Sequence, residues 1–284
     1  MKKLTIGMAT YDDYHGVFFT IQALRIYHPY TKTDEVEFLI IDNNPNSTHG
    51  QKTKELTNSV SNLKYIPYTE KRSATIKWKI PEYASGEYIL IIDCHVLIQA
   101  NGIQKLMEYY RQNPNTKDLI QAPLWYDDIK GFASSFKPEW RGNMYGTWSM
   151  ENFDNNGEPF EIPMNGMGLF SFKKEHWPDI NQDFKGFGSE EWYVNEKFRQ
   201  NGGKTICLPY LKWVHRFAHP DGIKYMPILE DRIWNYYIGW MELYGIEHPM
   251  IDSITEHFKG KIPDYSLENI KKEAIEYTNK KDQS

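Results

Sequence analysis

Asp93 and His95 stand two residues apart at the end of an unbroken apolar run, Tyr88-Ile89-Leu90-Ile91-Ile92. A carboxylate and an imidazole at that spacing can aim at one divalent cation. The run is preceded by Ser85-Gly86, and apolar runs bounded by turn signals read as strands buried on both faces. The C-terminal end of such a strand lies at the sheet edge where open α/β folds bind ligands. Asp-x-His also describes a β-turn aspartate followed by a surface histidine, and at this point both readings stand.

The elements that would position this pair follow from periodicity. Leu4 to Thr10 reads as a first strand, followed by a loop at Tyr11-Asp12-Asp13-Tyr14 and a helix from Val17 to Tyr27 that His28-Pro29 stops. Val36 to Ile41 is a second buried strand, ending in the polar cluster Asp42-Asn43-Asn44-Pro45-Asn46-Ser47. A short helix over Gln51 to Ser59, a strand over Leu63 to Pro67 and a helix over Ala74 to Tyr83, re-started by Pro81, lead to the Asp93 strand. A helix from Gly102 to Arg111 and a strand from Leu119 to Pro123 complete the alternation. Strands alternating with helices predict a mostly parallel central sheet flanked by helices. Three strand ends, Tyr11-Asp12, Asp42-Asn43 and Asp93-Cys94-His95, then converge on one edge.

Beyond this the pattern changes. Trp125 to Glu161 loses periodicity and reads as a hairpin or long loop over the site. Ile162 to Phe172 is glycine-rich and then strand-like, and its glycines allow close approach of backbone to a ligand or simply a tight bend. Ser189 is the expected N-cap of a helix from Glu191 to Gln200, with Glu190 and Glu191 in a first turn whose dipole favours acids. Lys204 to Leu208 follows as a strand, and Leu211 to Phe217 holds Trp213-Val214-His215-Arg216-Phe217. Ile228 to Tyr244 is a long aromatic helix, and Ser266 to Lys280 a charged, solvated one that frays at its end.

Composition bounds the function. Hydrophobic content is 40% and charged content 25%, which supports a sizeable core. The net charge of −5 disfavours a broad nucleic-acid or anionic-membrane surface, though not a local basic groove. Aromatics are abundant, with 20 Tyr, 14 Phe and 9 Trp, and serve packing first and stacking on sugar or base rings second. The 2 cysteines, Cys94 and Cys207, supply no disulfide framework and no zinc spacing, so a reducing cytoplasm is the simplest setting. Met1-Lys2-Lys3 leads into no signal peptide, and no stretch approaches the ~20 apolar residues of a membrane span. A soluble, cytoplasmic protein is expected.

The motifs, taken in order, resemble those of GT-A fold glycosyltransferases of the broad family 2 group. In several places they are closer to the polypeptide N-acetylgalactosaminyltransferases of family 27. Thr10-Tyr11-Asp12 resembles the start of the nucleotide pocket, and Ile40-Ile41-Asp42-Asn43 the acid-bearing second strand end. Ala84-Ser85-Gly86-Glu87-Tyr88 through Asp93-Cys94-His95 is similar to the metal motif in its Asp-x-His form. Gly166-Met167-Gly168-Leu169-Phe170-Ser171 resembles the segment beneath the donor sugar. Gly188-Ser189-Glu190-Glu191, with Arg199 and Gly202-Gly203, resembles the acid motif of the acceptor-side helix. Val214-His215-Arg216-Phe217 resembles the segment whose histidine completes the metal site.

The resemblance implies a metal-dependent transferase that moves a sugar, hexosyl or pentosyl, from a nucleotide sugar, a UDP-sugar first, to a hydroxyl acceptor. Asp93, His95 and His215 are the expected ligands. That mixed N/O set suits Mn²⁺ better than Mg²⁺, which stays as the alternative. Thr10, Tyr11, Asp12, Asp42, Arg72, Lys77 and Arg216 are the expected nucleotide contacts: Tyr11 on the base, Asp12 and Asp42 on uracil or ribose, the cations on diphosphate. Asn165, Gly166, Gly168, Trp192 and Trp148 are expected around the donor sugar and acceptor. Glu191 holds the place of the catalytic acid of inverting members and Glu190 that of the first acid of retaining ones, so the stereochemical course is open.

The acceptor is a glycan hydroxyl or, in a phage setting, a modified DNA base, the latter disfavoured by net charge. The expected division is a GT-A catalytic domain over 1–225 and a C-terminal helical extension over 226–284. Within the former, 1–123 is the nucleotide-binding half and 124–225 the acceptor and donor-sugar half. Neither a lectin domain nor a membrane anchor is expected. The alternatives are a nucleotidyltransferase of similar α/β plan, which would want a glycine-rich basic phosphate loop that residues 7–16 lack, and an inactive nucleotide- or glycan-binding protein.

Overall fold

The computed structural model describes residues 2–150, 157–218, 222 and 227–281. Strand β1 (Leu4–Thr10) is followed by helix α1 (Tyr14–Tyr27), β2 (Val36–Asp42), α2 (Thr48–Glu55) and β3 (Leu63–Pro67). Next come α3 (Ile80–Tyr83), β4 (Tyr88–Asp93), β5 (Val96–Ile98), α4 (Gly102–Gln112), β6 (Leu119–Gln121), β7 (Leu124–Trp125) and β8 (Phe132–Ala133). A hairpin of β9 (Ser135–Arg141) and β10 (Met144–Ser149) precedes β11 (Phe160–Glu161) and β12 (Leu169–Lys173). Helix α5 (Glu190–Gln200), β13 (Thr205–Cys207), β14 (Trp213–His215) and helices α6 (Leu229–Tyr244), α7 (Pro249–Phe258) and α8 (Asp264–Lys281) complete the chain.

Among the described residues the main sheet has eight strands in the order β11-β13-β6-β12-β4-β1-β2-β3. Strands β1 to β4 are mutually parallel and β6 and β13 run with them, while β12 and β11 are antiparallel to their neighbours. The expected mostly parallel α/β sheet is therefore present. Its central strands are apolar on both faces, and alternation sorts their side chains. Leu39, Ile41, Ile89 and Ile91 join a core that extends to Ile233 of α6, Ile254 of α7 and Ala274 of α8. Phe38, Ile40, Leu90 and Ile92 pack with Val17 and Leu24 of α1 and Ile103 and Leu106 of α4. Each such side chain contributes about 1.5–3 kcal/mol by leaving water. A second sheet, β5-β14-β7-β8, lies at the site end.

Local departures have local causes. Helix α1 starts at Tyr14 rather than Val17, because the Asp13 side chain accepts the Gly16 N–H and caps it. Helix α2 starts early for the same reason, with Ser47 accepting from Gly50. The expected helix over Ala74 to Tyr83 is a 3₁₀ turn over Ala74–Lys79 followed by α3, with Pro81 in the first turn of the new helix, where its missing N–H costs nothing. Helix α8 is charged as expected, but it is docked rather than free: Leu267, Ala274 and Thr278 are buried. The expected irregular segment after Trp125 holds the β9–β10 hairpin, braced by Tyr145 N donating to the Tyr236 hydroxyl of α6 and Trp140 stacked on His257. The portion of that segment at 151–156, and the boundary expected at 225/226, lie outside the described residues. No helix among the described residues is long and apolar enough to cross a membrane.

Candidate active site

Parallel register brings the three acid-bearing strand ends together. Thr10 pairs with Asp42 and Ala9 with Asp93, so the loops after β1, β2 and β4 leave the same sheet edge. Antiparallel pairing of β14 with β5 places His215 opposite Val96, directly after the Asp93-Cys94-His95 turn. The imidazoles of His95 and His215 meet edge to face, their centroids 4.7 Å apart. Residues separated by 120 positions thus share one corner.

In that corner Asp93, His95 and His215 offer ligand atoms that all lie within 4.8 Å of one another. His95 Nε2 is 3.1 Å from His215 Nε2, and His215 Nε2 is 3.3 Å from Asp93 Oδ2. Lys77 Nζ donates to Asp93 Oδ1 and to the Met167 carbonyl, both at 3.0 Å. Burial opposes the Asp93 charge, but Lys77 and then His215 hold its carboxyl well below the usual carboxylate range. Burial also opposes charge on His95, yet its bond to Asp13 lifts it to about 10. Gly168 makes room for the acid: a Cβ there would sit 2.9 Å from Asp93 Oδ2 and 2.6 Å from the Trp213 ring.

These residues fit a divalent cation on the chemistry of the donor set. One carboxylate oxygen and two imidazole nitrogens converge, and the rear nitrogen of His95 is already held by a carboxylate, the usual support of a ligating histidine. The rear nitrogen of His215 is buried with no hydrogen-bond partner among the described residues. Asp13, Cys94 and His95 form a second, overlapping group of potential ligands.

The acid pair opens α5. Ser189 is not its side-chain cap: the residue sits at φ 77° and its hydroxyl is buried with no partner among the described residues. Glu190 follows this left-handed residue and is 3% exposed, its Oε2 without a hydrogen-bond partner among the described residues. Burial, and then the neighbouring Glu191 carboxylate, push Glu190 up to about 7. Burial raises Glu191 as well, against the charges of Arg232 and Lys77. Arg232, from the first turn of α6, donates to the carbonyls of Phe187 and Asn143 beside this turn.

The other expected site residues divide. Gly166 lies against the Trp148 ring, which packs edge-on to Phe136 at 4.1 Å. Tyr11 and Arg72 come together, with the guanidinium 4.4 Å over the ring where a base was expected. Asp12, at φ 54°, accepts from the Asn44 side chain. Asp42 is buried and accepts from Asn44 N–H and the Tyr65 hydroxyl. Thr10 ends β1 with a buried hydroxyl that has no partner among the described residues. Arg216 pairs with Asp13 at 2.7 Å. Asn165 directs its amide to backbone groups of Ala122, Ser134 and Gly166. Trp192 is packed in the core on Trp240, the rings 4.2 Å apart, and is not brought to the site corner. Asp13 and Arg232 were not among the expected residues. Asp13 carried a faint signal, an acid just before a helix, whereas nothing in the sequence marked Arg232.

The family model for glycosyl transferase family 2 matches residues 5–177. No curated protein matches the chain. Among solved structures, GalNAc-T7 with UDP, GalNAc and Mn²⁺ superposes with a TM-score of 0.68 at 14% identity, covering 98% of this chain and 55% of that one. TarS of S. aureus gives 0.56 at 13% identity, covering 91% and 44%. The mannosyltransferase PcManGT from Pyrobaculum calidifontis, with GDP-Man and Mn²⁺, gives 0.54 at 14%, covering 97% and 69%. The chain spans about half the length of the first two, and at these identities the likeness is one of fold.

Proposed function

Because the chain belongs to glycosyl transferase family 2, we propose that it transfers a sugar from a nucleotide sugar to a hydroxyl acceptor with a divalent cation. The observation that carries the reading is the corner of Asp93 Oδ2, His95 Nε2 and His215 Nε2 at the C-terminal edge of a mostly parallel sheet, with the buried Glu190 and the half-buried Glu191 near it. A cation held by these three residues would supply Lewis acidity toward the departing diphosphate. Mn²⁺ is favoured over Mg²⁺ by the two nitrogen donors. UDP is favoured as the carrier because similar folds were solved with UDP and with UDP-GlcNAc.

In this reading Lys77 and Arg216 bring positive charge to the diphosphate side, and Arg72 yields the Tyr11 face to the base. Gly166 and Gly168 let the donor sugar approach the backbone beside Trp148. Glu190 or Glu191 takes the proton from the attacking acceptor hydroxyl. A carboxyl raised toward neutrality is a stronger base than an exposed one and still ionises at working pH. A glycan hydroxyl is favoured as acceptor over a base in DNA by the net charge of −5. Cys94 and Cys207, buried and free, suit a reducing cytoplasm.

The test is a panel of nucleotide sugars and nucleoside triphosphates with Mn²⁺, read by thermal shift and then by hydrolysis. A UDP-sugar should stabilise the protein and be hydrolysed slowly. Preference for triphosphates would instead favour the nucleotidyltransferase, and binding without turnover the inactive binding protein.

A further inference from the structure

Asp13 joins three chain segments. Its Oδ2 lies 2.7 Å from His95 Nδ1 and 2.7 Å from Arg216 Nη2. Its Oδ1 accepts the Gly16 N–H at 2.9 Å and caps α1. The loops after β1, β4 and β14 are thereby tied through one carboxylate. The backbone adds a parallel tie, Arg216 N–H donating to the His95 carbonyl at 3.1 Å. Gly16 is shaped to this role, since a Cβ there would lie 2.5 Å from Asp13 Oδ2 and 2.7 Å from the Cys94 carbonyl.

We infer that Asp13 is the positioning residue of the site: it holds His95 through Nδ1–H so that Nε2 is the nitrogen presented beside His215 and Asp93. A carboxylate only accepts hydrogen bonds, so the contact at 2.7 Å requires the proton on Nδ1. The ring is thereby fixed in orientation, and Nε2 is the nitrogen turned toward His215 and Asp93, where a cation would replace any proton it carries. The same oxygen holds Arg216, the residue after His215, so His95 and His215 are located by one anchor. The significance for cation binding rests on the proposed function; the orientation of His95 does not.

The two oxygens of Asp13 act separately, which makes Asp13→Asn informative. The amide oxygen can keep the Gly16 cap, while the amide N–H₂ replaces Oδ2 and offers His95 a donor instead of an acceptor. A histidine ring ¹H–¹⁵N spectrum of the metal-free protein should show a low-field, slowly exchanging Nδ1–H for His95, and D13N should lose it while keeping its fold by circular dichroism. Mn²⁺ titration by electron paramagnetic resonance with UDP present should show affinity weakened about 10–100-fold in D13N, the usual effect of removing such a support. Cys94→Ser, at the other residue of the overlapping ligand group, tells a support from a ligand: it should weaken that affinity far less than D13N does.

An Nδ1–H resonance that is absent from the wild type, or that persists in D13N, overturns the inference. So does equal weakening by D13N and C94S, which would make Asp13 a ligand together with Cys94. If the resonance behaves as expected but the wild type binds no Mn²⁺, the positioning of His95 stands and the metal reading falls.

Discussion

Around Asp93 the charges meet one another. Lys77 lies 3.0 Å from one carboxylate oxygen, His215 lies 3.3 Å from the other, and His95 and Arg216 both converge on Asp13 at 2.7 Å. At the start of α5 the arrangement is reversed. Glu190 and Glu191 are adjacent like charges, Glu190 Oε2 has no hydrogen-bond partner among the described residues, and the turn before them holds a serine in the left-handed region. The first region is built to stay in place, because breaking any of its contacts would leave a partly buried charge exposed to low dielectric. The second is held under electrostatic cost, which keeps a proton on a carboxyl near neutral pH. One corner is suited to holding a cation and the other to exchanging a proton.

This contrast can be broken most sharply at its centre. Asp93→Ala or His215→Ala should cut Mn²⁺-dependent nucleotide-sugar hydrolysis by about 10²–10³-fold, as expected when a main source of leaving-group stabilisation is removed. Unchanged hydrolysis would remove the metal role from that corner. Glu190→Gln should lower transfer on the order of 10²-fold, with Mn²⁺ affinity kept. Loss of Mn²⁺ binding in E190Q would show that the two regions are one electrostatic unit.

The pH response separates activity from stability. If Glu190 is the base, activity should rise through its raised value of about 7. Stability should move the other way. In the unfolded chain Glu190 ionises near 4.5, in the fold near 7, so the folded state binds more protons between those values. Its stabilising contribution is complete below 4.5 and declines as pH rises toward 7. Thermal midpoints of wild type and E190Q should therefore diverge across that window, with the variant the less sensitive to pH.

Two smaller effects sharpen the comparison. Gly168→Ala should destabilise by about 1–3 kcal/mol, because the methyl meets both Asp93 and the Trp213 ring. Its thermal shift should be accompanied by weaker Mn²⁺ binding. Ser189→Gly should stabilise by about 1 kcal/mol, since glycine relieves the left-handed backbone and removes a buried, unpartnered hydroxyl. Destabilisation by that change would mean the strain at the acid pair lies elsewhere.

Much of this was legible from local pattern. The bounds of β1, β3 and α6 were expected to within a residue, because unbroken apolar runs and helical spacing are local signals. The convergence of Asp12, Asp42 and Asp93 on one edge followed from strand direction alone. Trp192 and Asp42 were less readable. A tryptophan in an acid motif can face a ligand or the core, and only the packing of Trp240 against it placed it inside. An aspartate at a strand end can meet a ligand or its own turn, and the Tyr65 hydroxyl, 23 residues away, engages this one within the protein.

The sequence by itself determined the layered α/β plan, the sheet edge that carries the site and the side-chain types available there. Those depend on periodicity and on the order of elements along the chain. The tertiary structure alone decided that Asp13 supports His95, that Lys77 pairs with Asp93, that Arg232 reaches the acid turn and that Ser189 is strained rather than capping. Apart from the backbone of Ser189, these depend on contacts between separate segments, 82 residues apart in the case of Asp13 and His95. Short-range pattern carries no information on such pairs, because their geometry is set only when the two sheets and the C-terminal helices pack.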